Sequence, residues 1–130
     1  MTLTLRILSI GSSDPINSAY DSFLKHHHCD ISAATTLPEL YAVPMSASWD
    51  IAVLLSTLSR KDLHESAYFV RRRWPSARIL VIRADAQSLD DALYDDRVAP
   101  GVHPEVLLAA IQCLVGNRQR TIVQGPSPGC

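Results

Sequence analysis

The stretch Trp49-Asp50-Ile51-Ala52-Val53-Leu54-Leu55-Ser56 limits what this chain can fold into more than any other. Five apolar residues follow Asp50 without a break. The run is too short for an isolated helix and lacks the alternation of a half-wetted strand, so it predicts a strand covered on both faces. A strand of that kind belongs in the middle of a parallel sheet. Leu5 to Ile10 and Ala77 to Ile82 have the same character, and segments of helical length separate the three runs. Strand alternating with helix is the pattern of an α/β layered domain, whose ligands bind beyond the carboxyl ends of the central strands. Function then depends on what stands at those ends.

The connecting segments carry helix signals. Asp14-Pro15 places a capping side chain before a proline at the first helical position, and Ile16, Ala19 or Tyr20, and Phe23 fall on one face of the helix that follows. This helix ends near His26 to His28, and Asp30 to Thr35 predicts a short second strand. Thr36-Leu37-Pro38-Glu39 is a capping box, with Leu37 and Leu40 turned inward and Pro44 ending the helix early. Ser59 and Asp62 are the candidate caps of a third helix, whose buried face is Leu63, Ala67, Val70 and Trp74 and whose stop is Pro75. After the fourth strand, Ser88 with Asp91 opens a short helix carrying Leu89, Ala92 and Leu93, and Arg97 to Ala99 forms a weak fifth strand. The last helix starts at Pro104, with Leu107, Ala110, Ile111 and Leu114 facing inward and Val106 and Cys113 alongside. Residues 1–118 make one domain, and 119–130 a flexible tail rich in glycine and proline.

A chain of 130 residues can bury a sizeable core without staples. Twelve Lys and Arg against 13 Asp and Glu leave a net charge of -1, which gives no electrostatic reason to expect nucleic acid or an acidic membrane as the main partner. Cys29, Cys113 and Cys130 are odd in number and widely spaced, which argues against a disulfide framework or a zinc knuckle and suits a reducing cytoplasm. No apolar run approaches the roughly 18 residues that span a bilayer. The expectation is a soluble cytoplasmic protein.

Three segments in this order resemble the receiver domain of two-component response regulators. They are Trp49 to Leu55, similar to that family's central strand; Arg73 to Ile82, similar to its passage from the third helix into the fourth strand; and Ala99-Pro100 with Pro104 to Leu107, similar to its Lys-Pro turn and last helix. The resemblance covers about residues 4–118 and implies a flavodoxin-like three-layer sandwich, with five parallel strands in the order 2-1-3-4-5. A working receiver has an acceptor aspartate ending strand three, two acids after strand one for Mg²⁺, a Thr or Ser ending strand four, and a Lys after strand five. A hard divalent cation requires carboxylate oxygens, and phosphoryl transfer requires an acceptor carboxylate and balancing cations. The matching positions here are Leu55 (Ser56 if the register slips by one), Gly11 and Ser12, Arg83, and Ala99. Asp96, or Tyr94 with a shift, lies near the aromatic switch position. The resemblance therefore implies a pseudo-receiver, not an enzyme and without a cofactor, acting through contact with another protein. The expected face is the fourth helix, strand five and the last helix, with Asp90, Asp91, Tyr94, Asp95, Asp96 and Arg97 exposed, acidic overall, and available for a homodimer.

Several other residues invite functional readings. Asp14 reads as a helix cap rather than half of a magnesium site. Ser12, Ser13, Ser56 and Arg83 could converge on an anion. The blander expectation is that Arg83 pairs with Asp85 or Asp14 and fills the vacated pocket. His26-His27-His28-Cys29 has metal-binding residue types, but neighbours on a helix point about 100° apart and cannot all serve one ion. Arg71-Arg72-Arg73 sits in a last helical turn, where cations are favoured by the dipole, and reads as that before it reads as a nucleic-acid patch. Cys113 is expected in the core. The alternative from another functional class is a small flavodoxin-like enzyme or ligand-binding protein, using the cleft between Gly11 to Asp14 and Ser56 to Ser59.

Overall fold

The computed structural model describes residues 5–12, 14–83 and 93–119. In chain order the elements are β1 (Leu5–Ile10), α1 (Pro15–His26), β2 (Cys29–Ala34), α2 (Leu37–Tyr41), β3 (Ile51–Leu54), α3 (Arg60–Arg73), β4 (Arg78–Ile82), β5 (Asp96–Val98) and α4 (Pro104–Gln119). The five strands form one parallel sheet in the order β2-β1-β3-β4-β5, as the resemblance implied. The expected helix at Ser88 to Leu93 lies outside the described residues except for its last residue, as do Asp85, Ser13 and the tail beyond Gln119.

β3 is central because all four of its residues are buried, and their alternation feeds both layers. Ala52 and Leu54 pack with Leu40 of α2 and Leu63, Ala67 and Val70 of α3. Ile51 and Val53 pack with Tyr20 and Leu24 of α1 and Leu107, Ile111 and Val115 of α4. Asp50 ties the amino ends together. Its carboxylate accepts from the Arg6 amide at 2.9 Å, its own amide donates to the Arg6 carbonyl at 2.9 Å, and its carbonyl accepts from the Arg78 amide at 3.1 Å.

The caps hold. Asp14 accepts from the Asn17 amide at 2.8 Å, and Ser59 from the Asp62 amide at 3.1 Å. Thr36 accepts from the Glu39 amide at 3.3 Å, but the Glu39 carboxylate returns to the amide and hydroxyl of Thr35, at 2.7 and 2.8 Å, one residue before the cap. Those two bonds hold the Glu39 carboxyl below its ordinary range. α1 closes with His28 in the left-handed region, at φ 66.

Two helix faces differ from expectation. In α1 the buried residues are Asn17, Tyr20 and Leu24, while Ile16 is exposed. The inward face is rotated by one residue because Tyr20 reaches across to donate to the Val102 carbonyl at 2.7 Å. In α4, Val115 joins Leu107 and Ile111 in the core, whereas Ala110 and Leu114 are only half-buried and Val106 is 50% exposed. Apolar residues surround this helix, so periodicity did not single out one face. Cys113 is half-buried rather than in the core.

Candidate functional site at the carboxyl ends of the strands

Gly11 leaves β1 at φ +132, a conformation that side-chain-bearing residues rarely adopt. Its amide donates to the Ala34 carbonyl at 3.0 Å. A Cβ at this position would stand 2.9 Å from Leu55 Cβ and 2.9 Å from Thr57 Oγ1. Leu55 is buried immediately after β3, where its amide donates to the Ile10 carbonyl at 2.9 Å and its side chain joins the α1 and α4 core. The parallel register that sets Ile10 beside Leu54 therefore presses glycine onto leucine at the next step. Thr57 then donates to the Ser12 carbonyl at 2.9 Å, latching the two loops together.

The cleft expected between Gly11 to Asp14 and Ser56 to Ser59 is bridged by these contacts. Beneath Leu55 lies a void of about 10 Å³, bordered by Ser9, Tyr20, Asp21 and Ile82 among others. It has room for about one water. Burial pushes the Asp21 carboxyl above its usual range, with Lys25 pulling the other way.

Arg83 leaves β4 at the same rim. Of the two carboxylates expected to pair with it, Asp85 lies outside the described residues, and Asp14 serves as the cap of α1 with no ion pair to Arg83 among the described residues. The Arg83 guanidinium instead donates to the Leu58 carbonyl at 2.7 Å, crossing to the loop after β3. Its own carbonyl accepts from the Arg97 guanidinium at 3.1 Å, and its amide donates to the Val98 carbonyl at 3.0 Å. Ser12 and Ala99 are exposed, and Ser56 is half-buried. The structure thus gathers Gly11, Ser12, Leu55 and Ser56 at the tips of β1 and β3, ties Arg83 to them through the Leu58 carbonyl, and leaves Ala99 outside at the tip of β5. Thr57, the Leu58 carbonyl and Arg97 complete the rim. Thr57 and Leu58 fall within the expected cleft segment and Arg97 on the expected interaction face, but their bonds to Ser12 and Arg83 are tertiary contacts that no local pattern announces.

The expected interaction face needs correction at Asp95. That side chain is only 17% exposed, ion-paired to Arg71 at 3.2 Å and to Arg78 at 3.6 Å. It also accepts from the Ile79 amide at 2.7 Å, so it belongs to the amino-end framework of the sheet rather than to an exposed acidic patch. Asp96 is half-buried and accepts from the Arg97 amide at 2.8 Å. Tyr94 packs against the α2 and α3 core. Asp90 and Asp91 lie outside the described residues. Among the described residues, no group of three or more His, Cys, Asp or Glu is placed to hold a metal ion, the histidine run included. No helix among them is long and apolar enough to cross a membrane.

The strand order and the alternation of strands with helices define a CheY-like fold of the flavodoxin type. A two-component response regulator from Clostridium difficile superposes with a TM-score of 0.76 at 21% identity, over 89% of this chain and 99% of that one. The chemotaxis response regulator CheY4 of Vibrio cholerae gives 0.73 at 18% identity, over 86% and 99%. A structure of adenylate cyclase from Rhodopirellula baltica gives 0.73 at 13% identity, over 89% and 90%. No family model matches the sequence, and no curated protein matches it significantly. At these identities the likeness establishes the fold, and a fold hosts many activities.

Proposed function

We propose that this chain is a receiver-like signalling domain that accepts no phosphoryl group, catalyses no reaction and acts by contact with another protein. The observation that carries the reading is the packing of Leu55 onto Gly11. The place where a receiver would present its acceptor is filled by a buried aliphatic side chain, and the place of its first metal-binding acid is a glycine with no room for a Cβ. An aliphatic carbon cannot form an acyl phosphate, and a lone capping carboxylate is a poor magnesium site. Arg83 supports the same reading, because it donates to a backbone carbonyl where a receiver would offer a hydroxyl.

The partner surface we assign is β5, which carries Asp96 and Arg97, with the outer side of α4, which carries the half-exposed Val106. The test has two arms. Incubation with acetyl phosphate and Mg²⁺ is expected to leave the intact mass unchanged, and an acid-labile adduct on a carboxylate overturns the loss of phosphoryl chemistry. Affinity capture from lysate is then compared between the native chain and the Arg97→Ala, Val106→Glu double variant. Loss of the captured protein supports the surface, and undiminished capture overturns it.

A further inference from the structure

The arginine run at the end of α3 is divided three ways. Arg71 is ion-paired to Asp95 at 3.2 Å. Arg72 lies over the Tyr68 ring, 5.7 Å from its centroid. Arg73 lies over Phe69 at 4.9 Å and Trp74 at 5.8 Å, and donates to the Tyr41 carbonyl at 3.3 Å. The run is thus neither a uniform basic strip nor simply a solvated helix end. Two of its members lie over aromatic rings.

Those rings border a groove of about 620 Å³, lined by Tyr41, Met45, Tyr68, Phe69, Arg72 and Arg73, with Glu65 also on its wall. It exists because α2 stops after five residues, leaving the outer side of α3 uncovered beyond Tyr41. Tyr41 and Phe69 make a tilted ring pair 4.8 Å apart in the groove. Met45 is 69% exposed, Tyr68 53% and Tyr41 43%, and all three line the groove. The volume falls within the few hundred to about 1,000 Å³ typical of built binding sites.

The wall charges say what would fill it. Two guanidinium groups face one carboxylate, Glu65, so the groove favours a net anion. A guanidinium stacked on a ring has one face covered by carbon and keeps in-plane N–H groups for a carboxylate. An apolar floor with such an edge suits a large apolar side chain next to an acid. A nucleic-acid backbone would want several unpaired cations in a row, but Arg71 is committed to Asp95.

We propose that the groove between α2 and α3 binds a short peptide segment of a partner protein, one that combines a large apolar side chain with a neighbouring Asp or Glu. The site is separate from the β5 and α4 surface and does not depend on whether the chain can be phosphorylated. The test is selection of a random 12-residue peptide phage library against the full chain, followed by affinity measurement with the enriched peptides as probes. The expected winners carry Phe, Trp, Leu or Met within a few residues of an acid. Tyr68→Ser and Arg72→Glu are each expected to weaken them about tenfold or more, and Arg97→Ala with Val106→Glu is expected to leave them unchanged. Met45→Ser, at a highly exposed position, serves as a third groove variant whose folding is not in question. The proposal is overturned by no enrichment, by winners without acids, or by unchanged affinity in the groove variants. A dimer dissolved by Tyr68→Ser in sedimentation would make the occupant a second copy of the chain and likewise overturn it. So would salt-sensitive retention of a 20-nucleotide oligomer that Arg72→Glu abolishes.

Discussion

At the amino ends of the strands, Asp50 and Asp95 are held by backbone amides, with the Arg71 and Arg78 guanidiniums beside Asp95; at the carboxyl ends, glycine meets leucine and the nearby guanidiniums reach for carbonyl oxygens. The contrast locates where charge is structural in this fold. The amino rim uses carboxylates to satisfy the donors that a parallel sheet leaves open at its ends. The carboxyl rim, where flavodoxin-like folds bind their ligands, satisfies its backbone with Thr57, Arg83 and Arg97 and closes over apolar side chains. Adding a carboxylate to the second rim should therefore cost stability, and removing one from the first should do the same.

The largest effect is expected from Gly11→Asp. The substituted residue would hold a left-handed φ and push a Cβ to 2.9 Å from Leu55 and Thr57, and strain together with overpacking is worth about 3 kcal/mol. Urea unfolding of Gly11→Asp and Gly11→Ala separates the causes. If contact is the reason, alanine is nearly as destabilising as aspartate. A neutral alanine variant beside a destabilised aspartate variant would mean that the carboxyl rim rejects charge and not bulk, and the close packing of Leu55 onto Gly11 would no longer explain the glycine.

Next is Asp95→Ala at the opposite rim, which strands the Ile79 amide and two guanidinium groups around a mostly buried position. A loss of about 2 kcal/mol is expected in the same measurement. Asp95→Asn keeps an acceptor for the Ile79 amide and should lose less. Should Asp95→Ala fall within about 0.5 kcal/mol of the native chain, the surface-substitution range, the carboxylates of the amino rim would be ornaments of the sheet and the contrast would fail.

How far these two rims could be read from the residues alone differs, for physical reasons. The strands at Leu5 to Ile10, Trp49 to Leu55 and Ala77 to Ile82 were legible because burial on both faces leaves mostly apolar runs, with Arg6, Asp50 and Arg78 near their amino ends, and Asp14, Thr36 and Ser59 were legible because capping is a local contact. The identities at the carboxyl rim were legible too, but not the reason for Gly11, which exists only once β1 and β3 are set in register. Asp95 and Asp96 are adjacent acids in sequence, and the pleat sends them to different surroundings, which composition cannot foresee. The burial of Asn17 in place of Ile16 follows from Tyr20 reaching Val102, 82 positions away.

The smallest effect concerns Asp21, which shares the void beneath Leu55 and has Lys25 as its compensating charge. Desolvation raises its folded pKa above the ordinary 3.8, so the native state holds this proton more tightly than the unfolded chain does. Below that ordinary value both states are protonated and the side chain contributes no ionisation penalty. As pH rises through the interval between the unfolded and folded values, the unfolded chain ionises first and native stability falls; above the folded value the penalty is complete. Asp21→Asn is therefore expected to raise the melting temperature slightly at neutral pH, with the gain shrinking as the pH is lowered toward 3.8. A gain independent of pH would trace to packing and not to charge. A loss at neutral pH would mean that this carboxylate is as well compensated as those of the amino rim, and the difference between the two ends of the sheet would be narrower than the geometry implies.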